Sequence, residues 1–369
     1  MTHQASVNAI VPEPAKAPEP DFERFRAMLL REKLPDRVPL GDTSVHKIIQ
    51  ERFLGRPIRS LEDEIEFRYR AGYDTFPVHI GLQETDLIKR QTMHEVEANY
   101  AAETTDTQTR SWATEGESVV RSQDDLESLD WPNPDALDYT IFEKVAAILP
   151  PKMKIVAVMG KVFTCVSWLM GLEGLSMATI DNPDLIRRVS DRVGSFQLRV
   201  FENVLKFDSV GLLWHADDVA FSTQLMVNPR LLRQNTFPWY KEMNRITHEH
   251  GRLVVYHSDG NLDQVMEDII GAGFDGLNPI EPKAMDINQV KQQYGSRISL
   301  IGNIDLGYTL TLGTPEEVRE EVRQRIRDIA PGGGYSVASS NSVPEYVPYA
   351  NFLAMRDATF EFGRYPISV

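Results

Sequence analysis

At 369 residues, with 42% hydrophobic and 25% charged residues, the chain has the make-up of a globular protein able to bury a core without cross-links, which excludes disordered and fibrous classes. A formal net charge of −15 implies an acidic surface that repels phosphate backbones and anionic headgroups, so no nucleic acid or membrane partner is expected. The single cysteine, Cys165, excludes an internal disulfide and a multi-cysteine metal site, and it fits a reducing, cytoplasmic setting.

The N-terminal stretch through Pro20 is rich in Ala, Pro and Glu, without an apolar or a basic region, and reads as a flexible tail and not a signal peptide. No stretch is apolar over about eighteen consecutive residues, so no membrane-spanning helix is expected. From there, short apolar runs alternate with longer charged stretches of helical period. The runs are 37–41 (RVPLG), 73–79 (YDTFPVH), 154–159 (KIVAVM), 210–215 (VGLLWH), 253–257 (LVVYH), 274–280 (FDGLNPI), 298–302 (ISLIG) and 334–339 (GYSVAS).

Helices fill the intervals. One starts at Asp181–Asn182–Pro183, where a side chain that satisfies free amides precedes a proline suited to the first turn. Another starts at Thr314, with Glu316 and Glu317 against the positive helix end. Gly251 and Gly273 follow helical stretches as end signals. The glycines of 331–334 (PGGG) precede a run and open no helix, so they predict a turn and not a phosphate loop. The polar, Thr-rich segment from Gln91 to Asp138 interrupts the alternation and predicts an inserted hairpin or meander after the second run. Eight strand–helix repeats over residues 21–369 predict one α/β domain, a (β/α)8 TIM barrel, in preference to a doubly wound open sheet.

In such barrels the chemistry lies where strands pass into the following loops. Here those ends carry Asp42, His79, His215 with Asp217 and Asp218, His257 with Asp259, Asn278 with Glu281, Asn303 and Asn341. So many carboxylates around one mouth imply a cation or a protonated partner, because buried unpaired charge is costly. His257 and Asp259 are two residues apart and share a strand face, a spacing that suits a divalent ion with Glu281 as a third ligand. The same pair also suits a hydrogen-bonded histidine beside an aspartate that caps the next helix. His215, Asp217 and Asp218 are read either as proton-transfer or positioning groups, or as caps and solvent-facing acids. Cys165 lies in an apolar context, VFTCVSWLM, and predicts packing and not a nucleophile.

The ordered set DRVPLGD (36–42), WLMGLEGL (168–175) after Gly160, WHADD, HSDGN, GFDGLNPIEP, IGNID, GTPEEVREEV and GGGYSVASSNS resembles the uroporphyrinogen decarboxylase-like superfamily from about Leu34 onward. The resemblance implies one of two activities. The decarboxylase branch carries an arginine-rich N-terminal segment and an aspartate after the second strand; here both are missing, and the second run ends in His79. The other branch, corrinoid-dependent methyltransferases, is therefore the closer one. Its thiol-activating members bind zinc through an HxC pair and a later cysteine, and the matching positions here are His257, Asp259 and Asn341. An oxygen-rich site suits polarising an ether oxygen better than activating a thiol.

The resemblance thus implies O-demethylation: methyl transfer from a small methoxylated, aromatic substrate to a corrinoid carried by a partner protein. Zinc would be held by His257, Asp259 and Glu281. His215, Asp217, Asp218 and His79 would be catalytic, and Asp42, Trp168, Asn278, Asn303 and Asn341 would bind substrate. A homodimer is common in the superfamily. The alternatives are a metal-independent decarboxylase or lyase acting on a small carboxylate, and a non-catalytic tetrapyrrole- or corrinoid-binding protein.

Overall fold

Seven of the eight apolar runs form strands of one parallel sheet. In the computed structural model, which describes residues 14–98, 108–113 and 118–369 and side chains outside 90–117, the strands are β1 (Thr75–His79), β4 (Lys154–Met159), β5 (Val210–Ala216), β6 (Leu253–His257), β7 (Gly276–Asn278), β8 (Ser299–Ile301) and β9 (Tyr335–Ser336). They lie side by side in chain order, each parallel to the next. Helices between successive strands cover the outer face, as the alternation predicts.

The expected eighth strand is a correction. Run 37–41 joins β9 through a single parallel bridge, Leu40 to Val337, followed by Val45 to Val343. Pro39 accepts from Val337 N, but a proline has no N–H to extend a ladder. The sheet is therefore seven strands curled around a common interior, with this bridged segment along its last edge.

Residue alternation divides the sheet into two faces. Val156, Val158, Leu212, Trp214, Leu253, Val255, Ile301 and Ala338 pack inward against Phe22, Phe25, Met28 and Leu29 of the helix Phe22–Leu30. Ile155, Ala157, Met159, Leu213, Val254, Tyr256, Leu277 and Leu300 pack outward against the helix layer. The helix Phe22–Leu30 plugs the N-terminal end of the sheet: Phe22 N donates to Lys152 O, and Ser299 Oγ donates to the Met28 and Leu29 carbonyls. Gly276 makes room for it, since a Cβ there would come within 2.7 Å of Leu29. Each large plug side chain taken out of water contributes about 1.5–3 kcal/mol. With this end closed, the C-terminal ends of the strands form the open mouth.

The expected helix starts are present. Asn182 accepts from Leu185 N at the head of the helix Pro183–Val204, and Thr314 and Glu317 form a reciprocal capping box on the helix Pro315–Ile329. Gly332, Gly333 and Gly334 all have positive φ and turn the chain into β9. Within the inserted segment, β2 (Met93–Ala98) pairs antiparallel with β3 (Gln108–Ala113). Its later part is helical instead of a meander, with the helix Gln123–Ser128 closed by a Ser122–Asp125 capping box. Residues 1–13 of the predicted tail lie outside the described residues, but 14–20 are docked: Arg356 donates to Ala15 O, and Ala15 N donates to Asp357.

Among the described residues, no single helix is long and apolar enough to cross a membrane. The apolar helices Val162–Met170 and Leu172–Asp181 meet at 89°.

Candidate active site

The two-residue period of β5 decides which of its terminal residues reach the mouth. Leu212 and Trp214 face the interior, so Ala216 and Asp218 continue on that face while His215 and Asp217 point toward the helices. Ala216 stands in register with His257 on β6, where Leu253 and Val255 also face inward.

His215 is wholly buried between the rings of Phe201, Tyr240 and Phe274, at centroid distances of 4.9, 5.3 and 4.9 Å. Burial drives its pKa down to about 3, so the ring is neutral. Gly160 is its floor, because a Cβ there would meet Nδ1 at 2.7 Å. This corrects the expectation that His215 handles protons: it lies in the sheet–helix core and not at the mouth.

Asp217 is likewise turned outward. It accepts from the backbone N–H groups of Val162, Phe163 and Thr164 at 2.6, 2.8 and 2.7 Å, from the Thr164 hydroxyl at 2.5 Å, and from the Tyr240 hydroxyl. It anchors the N-terminus of the helix Val162–Met170, whose free amides and dipole favour an anion. Burial pushes the carboxyl pKa up and the donors oppose it, Thr164 and Tyr240 foremost. Every one of those donors needs an acceptor lone pair, so the anion is the form that fits. Asp217 is thereby corrected from catalytic acid to helix anchor.

Asp42 is corrected in the same way. Its carboxylate accepts from Ser339 N at 2.8 Å and from the Tyr73 hydroxyl at 3.1 Å, and buried Arg68 donates to its carbonyl. It fastens the bridged edge segment to the chain after β9 and to the chain entering β1, and both its oxygens are taken by protein donors.

The mouth itself gathers Asp218, His257 and Asp259. A carboxylate oxygen from each aspartate and a ring nitrogen lie within 4.8 Å of one another, and His257 Nε2 is 3.9 Å from both Asp218 Oδ1 and Asp259 Oδ1. The other side of the ring is fixed: His257 Nδ1 is 2.5 Å from Asn278 Oδ1, and Asn278 Nδ2 donates to Ile301 O at 3.0 Å. That second bond sets the amide orientation, so the oxygen faces the ring, Nδ1 carries a proton and Nε2 is turned to the two carboxylates, as a donor to them in the protonated ring or as a lone pair for a cation in the neutral one. Metal-binding histidines are held in this manner. Asn278, expected to bind substrate, is placed as the residue that orients His257.

Asp259 receives Asn341 Nδ2 on Oδ2 at 2.5 Å, while Oδ1 is buried without a hydrogen bond. Burial raises its pKa to about 6; His257 and Asn341 pull it down, and the Asp218 and Glu281 charges push it up. A carboxylate oxygen held without a donor, beside an imidazole nitrogen and a second carboxylate, is a set that fits a divalent cation. Asp218 also accepts from Asp259 N at 2.9 Å. Glu281 binds Gly260 N at 3.1 Å and stands outside the group of three; Asp218 takes the place assigned to it.

The remaining expected residues lie around this group. Asn303 is buried, donates to Ile280 O at 2.7 Å and leaves Oδ1 without a hydrogen bond. His79 ends β1 on the inward face and is exposed. Its pKa is lowered, chiefly by enclosure, with Lys161 adding to that effect and Glu84 opposing it. Trp168 is half-buried, with the Lys161 ammonium 5.5 Å from its ring centroid. Lys161 belongs to no motif in the sequence; its place one residue after Gly160, at a strand-to-helix turn, is the one signal it carries. Cys165 is buried with its pKa pushed far up by burial, as expected of a packing residue.

A model of the family described as uroporphyrinogen decarboxylase (URO-D) matches residues 114–362, well over half of the chain. The chain belongs to the uroporphyrinogen decarboxylase family. The methylcobamide:CoM methyltransferase MtaA of Methanosarcina barkeri is 24% identical over 215 residues, 58% of this chain and 59% of that relative. The match thus spans about three fifths of that relative's length. A uroporphyrinogen decarboxylase of Alkalilimnicola ehrlichii is 26% identical over 265 residues, 66% of this chain and 68% of the relative. A methyltransferase structure from Methanosarcina mazei superposes with a TM-score of 0.66 at 19% identity, covering 93% of this chain and 99% of that one. At that identity the likeness establishes the fold: this family member has the same curled parallel-sheet architecture.

Proposed function

We propose that the protein is a corrinoid-dependent methyltransferase that removes a methyl group from a small methoxylated aromatic substrate and passes it to a corrinoid on a partner protein. The observation that carries this reading is the Asp218–His257–Asp259 group at the mouth, with His257 Nε2 3.9 Å from an oxygen of each aspartate and Asp259 Oδ1 free of a hydrogen bond. Methyltransferases of corrinoid chemistry among the relatives support it, as does the absence of the arginine-rich segment that the decarboxylase branch carries.

Asp218, His257 and Asp259 would hold the metal, zinc being the ion this nitrogen and oxygen set suits. A divalent ion so held supplies Lewis-acid polarisation of an ether oxygen. The chain's own residues do the rest. Asn278 keeps His257 in one tautomer, and Asn341 holds Asp259 in position. Trp214 and Ala216 line the inner wall below and keep it apolar. His215 and Asp217 are turned away from the mouth, so neither reaches a leaving oxygen.

The test is metal content with activity. Purified wild type should carry about one zinc per chain, and His257→Ala and Asp218→Asn should lose it. Wild type alone should methylate a reduced corrinoid from methoxylated benzenes, followed by the corrinoid absorbance. Metal-free wild type with undiminished methyl transfer would sink the metal assignment, and turnover of a carboxylate without any corrinoid would move the protein to the lyase alternative.

A further inference from the structure

The mouth is electrically polarised across the sheet. On the β5–β7 side stand Asp218, Asp259 and Glu281. On the β1–β4 side stand His79 and Lys161, the latter directly after β4. In a chain of net charge −15, one ammonium on this side of the mouth and carboxylates on the other give an incoming molecule a preferred orientation.

Lys161 is poised for a ligand and not for the protein. Among the described residues, no carboxylate lies within 4 Å of its ammonium, which stands 5.5 Å from the centroid of the Trp168 ring. Glu84, an acid whose charge acts on His79, is paired with Lys89 at 2.9 Å. The backbone amides of the helix that Lys161 precedes are no alternative, because Asp217 occupies those of Val162, Phe163 and Thr164. What remains is one ammonium placed by an aromatic face, with the exposed ring of His79 on the neighbouring strand.

We infer that Lys161, Trp168 and His79 form a subsite for the anionic group of the substrate, and that the substrate is an aromatic carboxylate. One ammonium and a neutral imidazole match a singly charged carboxylate; a phosphate dianion would call for the amides that Asp217 fills. The cation over Trp168 fixes the ammonium while leaving its hydrogens for the carboxylate. A planar ring then bridges to the acidic side, where a substituent oxygen meets the Asp218–His257–Asp259 group. The identity of that substituent as a methoxyl rests on the function proposed above; the anion subsite does not.

Calorimetric titration of the full chain with meta-methoxybenzoate, its uncharged isostere meta-methoxybenzamide, benzoate and benzamide tests this. Wild type should bind each acid at least about tenfold more tightly than its amide, as a charge-assisted contact predicts. Lys161→Met should bring the acid-to-amide ratio close to one without weakening the amides, and Lys161→Arg should retain most of it. A wild-type ratio near one, a ratio undiminished in Lys161→Met, or no binding of any of these compounds overturns the subsite. A Lys161-dependent ratio for benzoate over benzamide, without methyl transfer from the methoxyl compound, keeps the subsite and rejects the methyltransferase reading. Equal methyl transfer from the methoxyl acid and amide does the reverse.

Discussion

Asn278 holds His257 from behind: its Oδ1 lies 2.5 Å from Nδ1, and its own amide nitrogen is pinned to Ile301 O. The pair lies across adjacent strands in register, His257 opposite Asn278. The ladder therefore sets the distance, and the third strand sets the amide orientation. The direction in which Nε2 points is a consequence of the sheet.

Asn278→Leu removes the acceptor and frees the ring to turn. Zinc affinity, measured by competition with a chromophoric chelator, should fall about 10- to 100-fold, the usual cost of losing such a supporting contact. Affinity equal to wild type would show that the ring is held by something else.

Asp217 and Asp218 are chain neighbours with opposite duties. Asp217→Ala leaves three buried amides and two hydroxyls without their acceptor. Each unmade bond costs about 1–3 kcal/mol before relaxation, so urea denaturation should show a loss of at least about 3 kcal/mol. Asp218→Asn should keep its stability within about 1 kcal/mol and lose the metal. The opposite pattern would reverse the facing of the two residues.

The plug helix is fastened by Arg24, which donates to Asp74 at 2.6 Å with both side chains almost fully buried. Burial holds the Asp74 pKa up at about 7 even with Arg24 pulling it down. Arg24→Ala would strand that carboxyl group and should cost about 3–5 kcal/mol, seen as a lowered denaturation midpoint. Arg24→Ala with Asp74→Asn should recover part of the loss, and no recovery would mean that Arg24 acts through packing alone.

His248 bonds Asp275 at 3.0 Å, and that hydrogen bond raises its pKa against partial burial. A raised folded pKa means that the protonated ring favours folding. The contribution is full below the unfolded value of about 6.5 and is lost as pH rises through the higher folded value. The side chain is 39% exposed, so solvent screening keeps the effect below about 1 kcal/mol. Stability of wild type relative to His248→Gln should therefore decline from mildly acidic to alkaline pH; a gap that widens with pH would contradict the pairing.

What the amino-acid order determined by itself was local. Apolar runs and helical periods placed seven of the strands, Asn182 and Thr314 marked their helix starts, and the 331–334 glycines marked a turn. Each rests on the conformational preferences of a few neighbouring residues. The HxD spacing also showed that His257 and Asp259 share a face, because strand period is local. The tertiary structure decided the rest. WHADD alternates in any strand, but only packing on the plug helix and the helix layer shows that Asp218 faces the mouth while His215 and Asp217 face away. Asp218 displaces Glu281 beside His257 because β5 and β6 are in register. Asn341 reaches Asp259 across 82 residues of chain, and Lys161 meets Trp168 one helical stretch away with its anion-binding amides already taken. Contacts of this kind depend on how the sheet curls and which strands adjoin, and that is set by the burial of the whole core and not by any one segment of it.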